Sequence, residues 1–136
     1  MQEAVQIMEE RFGKDSLIAL ATAVDGKPHV RTIDGVYHGG SFYAITHSLS
    51  GKMRQIRENP NVAVCGEWFT GHGIAENLGW VRSPENEPIA DMLRKAFAAW
   101  YDNGHTNEQD PNTCILRIRL TDGVLFGNEK RYEINF

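Results

Sequence analysis

The chain has 136 residues, 41% hydrophobic and 24% charged, with a formal net charge of -4. That length points to one domain, 1–136, able to bury about two-thirds of its unfolded surface without staples. The mild acidic balance argues against general binding to nucleic acid or membrane surfaces, which shows a basic excess. The charged, amphipathic opening MQEAVQIMEERFGKD lacks the apolar centre of a signal peptide. No apolar run approaches the roughly 20 residues that span a bilayer, so the cytoplasm is the expected compartment. Cys65 and Cys114 sit among apolar or small neighbours and are expected as buried thiols, with no CxxC to suggest a redox pair or zinc knuckle.

Residues 3–12 place Val5, Met8 and Phe12 at helical spacing. SLIALATAV, 16–24, is an apolar strand that meets Asp25-Gly26, a hairpin signal. Pro28 opens the partner strand HVRTIDGVY, the stretch His38-Gly39-Gly40-Ser41 turns, and FYAIT, 42–46, is a third strand, so the first half reads as an antiparallel meander. A helix is predicted near residues 50–58, ended by Pro60, with Met53 and Ile56 as a narrow apolar side. NVAVCGEWF, 61–69, returns to strand, and TGHGIAENLGWV, 70–81, reads as a bent or bulged strand. After a loop at 83–88, Ile89, Met92, Leu93, Ala96, Phe97 and Trp100 mark the clearest amphipathic helix. Residues 102–112 form a polar loop, TCILRIRL (113–120) a strand, Asp122-Gly123 a second hairpin turn, and RYEINF a closing strand after GNEK. Six to eight strands with two or three inserted helices make a mainly β chain. Dominant hairpin turns make its sheet antiparallel and rolled into a barrel.

Familiar catalytic patterns are missing: there is no GxSxG, HExxH or GxxxxGK[ST]. Histidines stand at 29, 38, 47, 72 and 105; His29 and His38 could face each other across adjacent strands, but no third ligand stands at metal spacing. Asp15, Asp25, Asp34 and Asp122 fall in or beside expected turns, where aspartate has a local structural role.

The helix opening is charged the wrong way. Aligned peptide dipoles make a helix N-terminus partly positive, yet Lys52 and Arg54 crowd the first turn behind Ser50. One reading is a solvated helix face. The other is an anion site, in which free backbone N–H groups, the Thr46 and Ser50 hydroxyls, Gly51, Lys52 and Arg31 converge on a phosphate.

GKPHVRTI (26–33) and FYAITHSLSGKMRQIRENPNVAV (42–64) together resemble the FMN-binding split-barrel family, the pyridoxamine 5'-phosphate oxidase-like proteins. The matching features are Gly26, Pro28 and Arg31, then Thr46, then Ser50 and Lys52, then Asn59 and Pro60. The resemblance implies a six-stranded antiparallel split β-barrel, a homodimer, and FMN in a cleft between subunits. It implies phosphate contacts from Arg31 and Lys52, hydroxyl contacts from Thr46 and Ser50, close backbone approach at Gly51, and a flavin ring along Arg31, Thr32, Ile33 and Ile45. Two departures point away from the vitamin substrate: Gly51 stands where an arginine is usual, and the chain closes GNEKRYEINF without an arginine-leucine-proline tail. The implied activity is that of an FMN-dependent oxidoreductase akin to general-stress-type flavoproteins and flavin reductases. It would take a small-molecule substrate or nicotinamide electron donor, and no side chain is assigned as catalytic. The alternative is a non-catalytic FMN-binding or stress-response module. Trp68 and Trp80 are left between flavin cleft, subunit face and ordinary packing, and the glycines at 71, 73 and 79 between close ligand approach and a bulge.

Overall fold

The structure is a computed structural model describing residues 2–136. In chain order it comprises α1 (Gln2–Phe12), β1 (Ser16–Val24), β2 (Lys27–His38), β3 (Ser41–His47), α2 (Gly51–Glu58), β4 (Asn61–Gly66), β5 (Phe69–Trp80), α3 (Glu87–Ala96), β6 (Thr113–Gly127) and β7 (Lys130–Asn135). All pairings are antiparallel. The sheet runs β3-β2-β1-β4-β5-β6-β7, and β3 pairs back onto β6. Six strands therefore close into a barrel, and β7 extends the sheet along the second half of β6.

The expected hairpins between β1 and β2 and between β2 and β3 form where the dipeptides place them. Asp25 and Gly26 have φ of 51° and 76°, and Gly39 and Gly40 have 56° and 86°, the left-handed pairs that a two-residue hairpin requires. The expected hairpin at Asp122-Gly123 does not form. Strand β6 runs on through it, with a bulge opposite His72 and Gly73. The glycine is there for space: a methyl on Gly123 would lie 2.6 Å from Phe69 Cε1. Gly71 answers the same need, since a methyl there would lie 2.8 Å from Phe69 Cζ. So Gly123, expected in a turn, and Gly71, whose role the sequence left open, make room for one buried ring. Asp122 instead accepts from His72, 2.9 Å away on β5.

Inside the barrel, Phe12 of α1 meets Phe42 edge-on at 5.6 Å and Phe69 at 6.0 Å. Each such ring contributes about 1.5–3 kcal/mol by burial, and each aromatic pair about 0.5–1.5 kcal/mol more. Helix α1 turns Ala4, Ile7, Met8 and Phe12 inward, so its buried face is displaced from the expected Val5 side. Helix α3 is shorter than its periodicity predicts and packs Ala90 and Leu93, with Phe97 beyond its end, over Val36, Tyr43 and Ile115 outside the barrel. Trp100 packs on Phe97 at 4.7 Å and donates to Asp15. The 102–112 loop is clamped to α3: Arg94 bridges Glu108 at 2.8 Å, Tyr101 Oη donates to the same carboxylate, and Trp80 Nε1 donates to the Glu108 carbonyl.

Cys114 is buried as expected, but Cys65 is exposed. Strand β4 shows one side inward, through Val62 and Val64, and Cys65 falls on the other phase. Likewise His29 and His38 do not face each other, because both lie on β2, near its two ends.

Candidate functional site: a cationic cradle at the split in the barrel

The ladder between β2 and β3 spans only Val36–His38 against Ser41–Tyr43. Beyond it β3 continues along β6, while β2 continues along β1. Among the described residues, the edge of β2 facing away from β1 thus has no strand alongside it over 27–35. This is the split. Backbone N–H and C=O groups leave a strand alternately to its two edges. Counted from the two-residue hairpin, with Val24 opposite Lys27, Arg31 and Ile33 bond to β1 while Thr32 turns its N–H and C=O to the open edge. Thr32 is exposed and offers a ligand both its backbone and its hydroxyl there, flanked by Arg31 and by Ile33, whose side chain is buried in the main core. Ile45 is half-buried on β3, packed against the cluster under α3.

Helix α2 begins beside this split. The Arg54 N–H to Ser50 carbonyl bond of 3.1 Å opens its ladder, so the N–H groups of Gly51, Lys52 and Met53 have no acceptor within the helix. An N-cap serine ordinarily accepts from one of these amides. Ser50 does not: it makes no capping bond, and its Oγ is the one buried side-chain polar atom among the described residues without a partner. Leaving such an atom unmatched costs about 1–3 kcal/mol. The loop leading here is pinned by Ser48 N–H to the Asn112 carbonyl at 2.8 Å and by Asn77 to Ser48 Oγ at 3.2 Å.

Two cations face the same place. Lys52 Nζ donates to Thr46 Oγ1 at 2.6 Å. Burial, then the nearby Arg31 charge, lowers the Lys52 pKa, and burial lowers that of Arg31. Arg31 points into the barrel mouth, its Nη1 donating to the Leu20 carbonyl at 3.1 Å and Thr22 Oγ1 at 3.0 Å, its Nη2 to Gln55 Oε1 at 2.6 Å. The Thr22 hydroxyl in turn donates to Gln55 Oε1 at 2.7 Å. No carboxylate pairs with either cation among the described residues. Met53 and Ile56 anchor α2 to the core, which fixes Lys52 and Gln55 relative to β1.

Seven of the eight residues singled out from sequence therefore line the split or the helix start: Arg31, Thr32, Ile33, Thr46, Ser50, Gly51 and Lys52. Ile45 adjoins them through β3. Arg54 is exposed and stays a solvated neighbour. Sequence reasoning missed Thr22 and Gln55. A signal for Thr22 existed, because it is in phase with the inward Ile18 and Leu20 and so puts a hydroxyl on the core face of β1.

A phosphate fits this set of donors. The orphaned Ser50 hydroxyl, three free amides and two uncompensated cations all ask for acceptor oxygens with negative charge. Among the described residues no group of three His, Cys, Asp or Glu side chains could hold a metal, and no helix is long and apolar enough to cross a membrane.

The chain is similar to known proteins over most of its length. It is 31% identical over 108 residues to General stress protein 26 of Bacillus subtilis (strain 168), covering 76% of this chain and 74% of that one. Its fold resembles an FAD-binding protein from Mesorhizobium loti, with TM-score 0.69, 19% identity and 90% of each chain covered. It also resembles General Stress Protein 26 from Bacillus anthracis str. Sterne, with TM-score 0.68, 17% identity, and 98% of this chain and 97% of that one covered. With residues 4–125 matching the sequence family described as pyridoxamine 5'-phosphate oxidase, the chain belongs to that family.

Proposed function

We propose that the protein binds FMN at the split and uses it as an oxidoreductase. The observation that carries this reading is the pairing of an orphaned Ser50 hydroxyl with two half-buried cations, Arg31 and Lys52, that no carboxylate compensates. In this reading Lys52, Arg31, Ser50, Thr46 and the amides of Gly51 and Lys52 hold the phosphate. The open edge of β2 at Thr32, between Arg31 and Ile33, meets the polar rim of the flavin ring, and Ile45 borders it. Family membership and the FAD-binding structural relative support a flavin as the occupant.

When bound, FMN supplies hydride chemistry at N5 of its ring. The chain's part is to position and polarise, not to offer a nucleophile. Lys52 and Arg31 fix the phosphate end, and the β2 edge orients the ring. A homodimer completes the cleft in this reading, and its support here is an apolar outer sheet face. Leu17 and Val30 are 70% and 72% exposed, and a groove lined by Ala19, Ala21, Ala63, Cys65 and Val124 adjoins Val30. The cytoplasm is the proposed compartment.

The test is anaerobic addition of NADH or NADPH to FMN-loaded protein, followed by an electron acceptor, with the mass in solution measured alongside. Bleaching of the bound flavin and its reoxidation with turnover support an oxidoreductase. Bound FMN that neither nicotinamide reduces and no acceptor turns over supports the non-catalytic module instead. Failure to bind FMN at all removes both.

A further inference from the structure

Arg31 is held by three oxygens of its own chain, and none of them carries a charge. Two belong to Thr22 and Gln55, which close a directed ring with it. Thr22 has one hydroxyl proton and gives it to Gln55 Oε1, so the Thr22 oxygen is left to accept from Arg31. Gln55 Oε1 takes both the Thr22 proton and the Arg31 Nη2 proton, at 2.7 Å and 2.6 Å. Two converging donors fix which end of the amide faces Arg31. Gln55 also stands three residues after Lys52 on α2, hence on the same helical face. A glutamate in that place would hold the guanidinium more strongly, because charge-assisted bonds are the stronger ones. It would also cancel the charge.

We propose that Gln55 is a positioning residue for Arg31, a neutral acceptor that fixes the guanidinium plane while leaving its charge for the ligand's phosphate dianion. This rests on the phosphate-binding reading of the same site. A purely architectural tie between α2 and β1 would tolerate glutamate, since a carboxylate accepts from Thr22 and Arg31 equally well. A tie that must stay neutral would not. The two roles therefore part at one substitution.

The experiment compares wild type, Gln55→Glu and Gln55→Met in equilibrium titrations with FMN and with riboflavin, which lacks the phosphate. The ratio of the two affinities reads the phosphate contribution, and melting without ligand reads the fold. Wild type is expected to prefer FMN by roughly tenfold or more. Gln55→Glu should melt no lower than wild type, bind riboflavin within about twofold of it, and lose roughly tenfold or more of the ratio. Gln55→Met should lose less of the ratio, because Arg31 keeps the Leu20 carbonyl and Thr22. A Gln55→Glu protein that keeps the wild-type ratio, or that melts well below wild type without ligand, overturns the role assigned to Gln55. A wild-type ratio near one overturns the phosphate site itself, whatever the variants do.

Discussion

Replacing Lys52 with alanine removes one ammonium from a cradle that already holds an excess of positive charge. Without ligand the Lys52 Nζ has Thr46 Oγ1 as its hydrogen-bond partner at 2.6 Å, while burial and Arg31 both disfavour its charge. Losing it should therefore leave the unliganded fold as stable as before or slightly more so. With FMN bound, the phosphate loses one charged hydrogen bond, about 1.5–3 kcal/mol, or roughly 10- to 150-fold in affinity. Binding persists because Arg31, Ser50 and the α2 amides remain. Riboflavin has no phosphate and should bind wild type and Lys52→Ala alike. Flavin fluorescence quenching in equilibrium titrations measures all four affinities. The gap between the proteins should narrow as salt is raised, since part of it is Coulombic. Equal FMN affinity in the two proteins would refute the cradle. So would an equal loss for riboflavin, which would mean that the substitution harms the ring site or the fold instead.

The charges and packing around the barrel have measurable effects of their own. Burial, then Asp15, raises the Asp34 pKa, so the folded state bears a cost for ionised Asp34 that the unfolded state does not. Asp34→Asn should raise the melting temperature at neutral pH, and the gain should vanish below about pH 4, where the carboxyl is protonated in both states. The Arg94 hydrogen bond, ahead of that from Tyr101, lowers the Glu108 pKa. The stability it gives is present above the ordinary carboxylate range and lost as pH falls through the lower folded value. Amide protection in the 102–112 loop, taken relative to the intrinsic exchange rate at each pH, should accordingly fall below about pH 4. Gly123→Ala sets a methyl 2.6 Å from Phe69 and 3.0 Å from the Thr70 carbonyl. Overpacking of that kind costs about 1–3 kcal/mol, readable as a drop in denaturant midpoint.

Much of the site was legible because its signals are local. A basic first turn behind a serine, a proline after the helix and an arginine on an apolar strand all lie within one short stretch. The paired turn residues at 25–26 and 39–40 carry their backbone conformation in their own chemistry. What stayed hidden depends on partners far along the chain. Thr22 and Gln55 are 33 residues apart and meet only because α2 caps β1. Asp122-Gly123 reads as a turn, yet a ring more than 50 residues earlier in the chain needs the missing side chain. Cys65 sits in an apolar word, and only the pairing of β4 with β1 and β5 decides which of its faces is outward. Trp68 is 69% exposed, stacked edge-on against Phe126 at 6.4 Å, with a left-handed φ of 55° that its sequence neighbours do not announce.

The central claim is that the cradle at the start of α2 is built for the phosphate of a flavin. Its most direct test is the absorption spectrum of the purified protein, before and after saturation with FMN and gel filtration, with the mass of whatever chromophore denaturation releases. A flavin spectrum that survives filtration, and FMN as the released species, is the expected result. A protein that emerges colourless after exposure to FMN, or that releases a chromophore without a phosphate, would contradict the claim.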